Sequence, residues 1–327
     1  MSSKTVLVID IGYDQLKLAL VTDGRVMKTA ITQMPENLFK DGRFISSETM
    51  ASMIRQSMKE SGMKAAQAAV VLPNELVYVK NVDVPMMTEE QLAFNLPYEF
   101  NDYITGEVTD YTFDYAVIDR DEESLHLLAV GVESAVVEDI QNMVRKASLK
   151  LVKTAPALCT YISLIRKQKE SLMQVADEFG ILDLGYNAIT MYMYKQDRHI
   201  ATRAFDIGLS SLDSIIADKY GVDRHLAHAY ILKNYENCLA AEECSTFYDN
   251  VAVELMRAIN FYEFSNQGSS LNDVWVCGGG AANQPLVNTI SDTLEAELHP
   301  ASELIPDGEH ILQSNIFAQA IGVTLEI

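Results

Sequence analysis

At 327 residues, 48% apolar and 22% charged, the chain has material for about two domains with cores of their own. Its net charge of -21 excludes a general surface for nucleic acid or anionic lipid, which would repel it. No apolar stretch reaches the ~18–20 residues needed to cross a bilayer and no signal peptide is visible, so direct membrane insertion is excluded and a cytoplasmic protein is expected.

In chain order, residues 5–33 read as strands with turns after Gly12 and at Asp23-Gly24. Met50, Met53, Ile54 and Met58 recur at helical spacing behind Ser46-Ser47, which are suited to capping. A buried-type strand, Ala68–Leu72, stops at Pro73, and strand signals resume from Val77 to Pro85. Thr88-Glu89-Glu90-Gln91 is a capping box opening a helix toward Phe100. Alternating segments at 111–118 and 124–132 flank a turn at Asp119-Arg120-Asp121. A helix at about 134–147, a strand at 149–153 and a helix at 156–173 follow. Ser210-x-x-Asp213 is expected to open a helix carrying Leu212, Ile215 and Ile216 on one face, before helices at about 223–235 and 246–265. The apolar strand Val274–Cys277 runs into Gly278-Gly279-Gly280-Ala281, and a last helix is expected at about 314–322.

One phrase occurs twice. Leu7-Val8-Ile9-Asp10-Ile11-Gly12-Tyr13-Asp14 and Ile181-Leu182-Asp183-Leu184-Gly185-Tyr186-Asn187 are each an apolar strand, Asp, an apolar residue, Gly, Tyr and an Asx residue. Alternation then resumes at Leu16, Leu18 and Leu20, and at Ile189, Met191 and Met193. Each copy is a hairpin signal, and an ordinary Asx-Gly turn explains either copy taken alone. The repeat suggests two similar domains, each offering backbone N–H groups and one carboxylate. Such a turn admits a phosphate, and an Asp at a strand end can hold magnesium. The glycine run after an apolar strand lets a flat base lie against the backbone. The four cysteines, Cys159, Cys238, Cys244 and Cys277, form no C-x-x-C pair and read as reduced thiols. His225 and His228, with Cys238 and Cys244 beyond them, match no zinc spacing and read as solvated helix faces.

With two strand–glycine turns and a glycine run in this order, the chain resembles the actin-like ATPase superfamily. Within it the chain is similar to the PilM family of type IV pilus assembly proteins. That closer likeness rests on Thr88-Glu89-Glu90-Gln91-Leu92, Pro97-Tyr98-Glu99-Phe100, Gly208 ahead of a helix, and residues 254–262. The resemblance implies an α/β, actin-like (ribonuclease H-like, duplicated), two-lobed ATPase fold with an inserted subdomain in the first lobe. The first lobe would span 1–178, with the insert at about 85–150, completed by a C-terminal helix at 310–327. The second would span 179–309, with a helical subdomain at about 210–268.

The resemblance also implies ATP and Mg2+ in an interlobe cleft. Asp10, Gly12, Tyr13, Asp14 and Lys17 match the first phosphate loop, and Asp183, Gly185, Tyr186, Asn187 and Thr190 the second. Gly208 precedes the second lobe's helix, Gly278, Gly279 and Gly280 match the adenosine loop, and Glu254 and Arg257 the ribose or base contacts. Asp10 and Asp183 would hold the metal. The implied partner is the cytoplasmic N-terminal peptide of a PilN-type inner-membrane protein, with the pilus motor ATPase as a second partner and self-association left open. The chain would thus sit at the inner face of the membrane through partners. Tyr13 and Asp14 depart from the small or hydroxyl residues usual there, and would crowd and repel a triphosphate. Leu209 stands where a second glycine is often found. No residue stands out to position an attacking water, so no catalytic residue is assigned and turnover is expected to be weak or absent. Two alternatives share the fold. A small-molecule kinase would need a catalytic base and an acceptor pocket. A filament-forming division protein of the FtsA type would end in a basic amphipathic helix, which residues 321–327 do not provide.

Overall fold

A computed structural model describes residues 5–35, 38–40, 43–170, 176–196, 198–305, 311 and 314–325. The chain divides into two compact units. Met1–Leu172, Asp197–His199 and Gln319–Ile327 make the first, and Met173–Gln196 and Ile200–Ala318 the second.

The first unit begins with a meander, β1 (Thr5–Ile11), β2 (Gln15–Thr22) and β3 (Arg25–Gln33). The short pair β4 (Phe39–Lys40) and β5 (Arg43–Phe44) precedes α1 (Ser47–Ser61). Ser46 caps that helix by accepting from Thr49 N, and Gly62 ends it in the left-handed region at φ 64°. β6 (Gln67–Leu72) then pairs parallel with β1. β7 (Val77–Pro85), α2 (Glu89–Asn95), β8 (Tyr111–Arg120) and β9 (Ser124–Glu133) form an insert, a sheet of order β7-β9-β8. The expected capping box of α2 is present in both directions. α3 (Ser134–Lys146), β10 (Lys150–Pro156) and α4 (Ala157–Glu170) return the chain to the main sheet. Leu7, Ile9, Leu16, Leu18 and Val70 on one sheet face pack with Met50 and Ile54 of α1 and with Ile140 and Met143 of α3. The insert has its own small core, including Val82, Val84, Leu92, Phe100 and Leu127.

The second unit repeats this plan. β11 (Glu178–Leu184), β12 (Ile189–Lys195) and β13 (Arg198–Phe205) form the meander. α5 (Ser210–Tyr220), α6 (Arg224–Lys233) and α7 (Glu242–Ser265) follow. β14 (Asp273–Cys277), α8 (Gln284–Thr293) and β15 (Glu297–Pro300) complete it. The two sheets have one order, β3-β2-β1-β6-β10 and β13-β12-β11-β14-β15. In each, the hairpin is antiparallel and the two strands beside it are parallel. The hairpin registers also match: Asp10 faces Lys17, and Asp183 faces Thr190. Leu182, Leu184, Ile189 and Met191 pack under Leu212, Ile216, Leu255 and Leu286. At the end of the chain, α9 covers Ala318–Gly322 behind a 3-10 turn at Ser314–Phe317. Of the helix expected over 310–327, residues 310, 312–313 and 326–327 lie outside the described residues.

Candidate functional site

In the second unit, sequence-distant glycines converge on the turn between β11 and β12. Leu209 N donates to Gly185 O at 3.1 Å and Ser210 N to Tyr186 O at 2.8 Å, tying the turn to the start of α5. Gly208 makes this approach possible, since a Cβ there would lie 2.2 Å from Tyr186 O and 2.4 Å from Asn187 C. Gly278 has φ +83°, and a Cβ on it would lie 2.3 Å from Asp183 Oδ1. Gly280 is packed against Leu184 and Leu209, whereas Gly279 is open apart from Leu209 Cδ1 at 3.9 Å. Asp183, the turn 185–188, Gly208 and residues 278–280 are therefore neighbours within this unit. Among the described residues, the N–H groups of Gly185, Asn187 and Ala188 meet no protein acceptor. Successive unpaired backbone donors in a turn form a concavity suited to an oxyanion.

The first unit's turn is built differently in detail. Gly12 N donates to Gln15 O at 2.9 Å. Asp10, 5% exposed, is neutralised by Lys17, whose Nζ lies 3.1 Å from Oδ2. The two residues at which crowding is expected both turn back onto their own unit. Tyr13 packs against the core of the first sheet. The Asp14 carboxylate accepts from Gln33 Nε2 on β3 while its carbonyl accepts from Met34 N at 2.8 Å.

Glu254 and Arg257 pair with one another on α7 at 2.5 Å, with Arg257 two-thirds exposed. Two expectations for the helical layer need correction. Cys238 and Cys244 are fully buried, not on a solvated face, and burial pushes both thiols up from their ordinary range. His228 binds Asp213 at 3.0 Å. Ser210 does open α5 as expected, with Leu212 and Ile216 buried, but Ser210-x-x-Asp213 does not cap it: the N-cap is Leu209, without a side-chain bond. Asp213 is 2% exposed and bonds Tyr186 and His228. Sequence reading missed this because helical spacing shows Asp213 and His228 on separate helices and not that those helices meet. It also missed Asp273, Glu297 and His299, a carboxylate–imidazole group assembled by the parallel β14–β15 pairing.

The first unit also holds an apolar pocket, whose lining includes Ile11, Phe44, Val71, Leu76 and Ile140, with Arg43 and Asp139 supplying charge. Pro73 ends β6 beside it, and the 3-10 turn Asn74–Leu76 brings Leu76 round to its wall.

Two sheets of one order, each opening on an Asp-x-Gly hairpin, define the duplicated α/β fold of the actin-like ATPases. The chain belongs to the type IV pilus assembly protein PilM family, whose model matches residues 8–304. Among solved structures it is similar to the PilM-PilN type IV pilus biogenesis complex, at 19% identity, TM-score 0.82 and 97% coverage of both chains. It is also similar to the ethanolamine utilization protein EutJ from Carboxydothermus hydrogenoformans, at 14% identity and TM-score 0.64, covering 99% of this chain and 90% of that one. MreB5 of Spiroplasma citri bound to AMPPNP matches at 11% identity and TM-score 0.52, covering 98% and 95%. No curated protein sequence matches the chain.

Proposed function

We propose that this protein is a nucleotide-binding scaffold of type IV pilus assembly that holds the N-terminal cytoplasmic segment of a PilN-type membrane protein in the apolar pocket of its first unit. The observation that carries this reading is the pocket itself: apolar walls for one or two anchoring side chains, with Asp139 and the Glu133-paired Arg43 on its lining as charges beside the anchors. Family membership and a solved PilM-PilN relative support it. Among the described residues no helix is long and apolar enough to cross a membrane, and the proposed peptide supplies attachment instead.

The nucleotide part rests on the glycine-lined turn of the second unit. The N–H groups of Gly185, Asn187 and Ala188 suit phosphate oxygens, and the open backbone at Gly279 suits an adenine face. Within that unit Asp183 is the residue that would hold magnesium, and Asp10 is the corresponding carboxylate of the first unit's own turn. Strand-end carboxylates are suitable hard donors, although Lys17 already neutralises Asp10 at 3.1 Å, so an ion there would share that carboxylate with an ammonium. Magnesium, when bound, would screen the phosphate charge against a protein of net charge -21.

Calorimetry of the full chain tests both ligands. A synthetic N-terminal PilN-type peptide should bind the wild type in the micromolar range, and Leu76→Asp should weaken it tenfold or more, about 1.4 kcal/mol, by placing a charge on the pocket wall. ATP with magnesium should bind the same variant as it binds the wild type. Equal peptide affinity in wild type and variant would remove the pocket from the proposal.

A further inference from the structure

In both hairpin turns the residue after the glycine is a tyrosine, and the one in the second turn is tied to a buried carboxylate. Tyr186 donates its phenolic hydrogen to Asp213 Oδ2. The other oxygen, Oδ1, accepts from His228 Nδ1 at 3.0 Å. The Tyr186 and His228 rings meet edge-on, 5.6 Å apart at 88°. At 2% exposure, Asp213 has left water and relies on these donors for its hydrogen bonds. Its neighbours reinforce the attachment, since Arg224 Nη2 on α6 donates to Ser210 O at 3.2 Å, and Ser210 N holds Tyr186 O. A buried carboxylate–imidazole pair is a poor device for stability alone, because an apolar pair of similar volume commonly serves as well. Here the pair grips the turn whose Gly185, Asn187 and Ala188 N–H groups meet no protein acceptor among the described residues.

We propose that Asp213 and His228 are positioning residues of that turn. They draw the Tyr186 ring back onto α5 and α6, and so keep the Gly185, Asn187 and Ala188 N–H groups presented to the phosphates of a nucleotide. This inference rests on the nucleotide reading above and deepens it. A turn held in its binding shape spends none of its ligand's affinity on being ordered. Released, the turn samples more conformations and a phenol ring is free to cover the donors. The cost falls on phosphate contacts alone, because adenine is assigned to the separate backbone of residues 278–280.

The test measures ADP and adenosine binding to the full chain as wild type, Tyr186→Phe, Asp213→Ala and Asp213→Asn, with amide hydrogen exchange at Leu209 and Ser210, whose N–H groups hold the turn, in the unliganded protein. Tyr186→Phe keeps the ring and removes only the hydroxyl. It should weaken ADP about tenfold, leave adenosine within about twofold, and speed exchange of the Leu209 and Ser210 amides about tenfold while the core stays protected. Asp213→Asn keeps an acceptor oxygen for Tyr186 and should recover most of the ADP affinity lost in Asp213→Ala. A folded Tyr186→Phe protein with wild-type ADP affinity overturns the positioning role while leaving the nucleotide reading intact. So does equal weakening of ADP and adenosine, which is what a merely structural part would give. A wild type that binds neither ligand overturns the nucleotide reading itself and this inference with it.

Discussion

Asp10 and Lys17 show how the register of a hairpin places an ion pair. They are register partners across the first hairpin, and their side chains are 8% and 16% exposed. Removing the ammonium leaves a carboxylate in a place water hardly reaches, and that orphaned charge, rather than the lost attraction, dominates the cost. Lys17→Met, which keeps the aliphatic stem, should lower stability by about 2–3 kcal/mol in urea denaturation. Adding Asp10→Asn should recover much of it, so the double variant is less destabilised than the sum of the single ones. Simple additivity would mean that the pair is solvated and energetically minor. The pair itself could be read from the sequence, because a hairpin centred on Tyr13-Asp14 sets Asp10 opposite Lys17. The places where Tyr13 and Asp14 went could not. Local spacing shows a bulky ring and a second carboxylate in a turn, but the core and the Gln33 amide that receive them are supplied by tertiary packing.

The elements that could be read in the sequence are those whose pattern carries its own explanation. The β8–β9 hairpin is one. Its strands alternate, and the Asp121 carboxylate closes the turn by accepting from Glu123 N at 2.8 Å and Ser124 N at 2.7 Å. Those bonds hold that carboxyl below its usual range. β15 could not be read, since a four-residue edge strand, Glu-Leu-His-Pro, has no period long enough to recognise and exists only through its parallel pairing with β14. In the insert, packing adds a feature no pattern contains. His126 on β9 donates Nδ1 to Asp83 on β7 at 2.6 Å and lies 3.5 Å from Asp121. The hydrogen bond to Asp83, above all, raises the His126 pKa from the ordinary value. A raised folded-state pKa means that the stabilising contribution is complete below the unfolded value, ~6.5, and disappears as pH rises through the folded one. An NMR titration should therefore place the His126 midpoint above 6.5, and Asp83→Asn should return it toward that value. A midpoint at or below 6.5 in the wild type would contradict the pairing.

Over the whole molecule, duplication and charge act together. Each unit repeats one sheet order around one kind of turn, so the chain carries two similar scaffolds that have diverged in side chains. The first has a salt-bridged Asp10 and an apolar pocket, and the second a glycine-lined turn anchored through Asp213. The net charge of -21 keeps such a protein away from anionic lipid and nucleic acid, and so favours attachment through a membrane protein's tail over direct adsorption. Cytoplasmic segments flanking a membrane span carry an excess of Lys and Arg. A basic tail approaching a strongly acidic protein is steered by long-range attraction, which salt screens within ~8 Å at physiological ionic strength. Once the apolar anchors are seated, they set the dissociation rate and feel salt little. Stopped-flow association of a PilN-type cytoplasmic peptide should therefore slow by about tenfold between 50 and 500 mM salt, with its dissociation rate changing less than about twofold. Salt dependence carried mainly by dissociation would instead place the charged contacts inside the bound interface, with Arg43 and Asp139 the first residues to substitute.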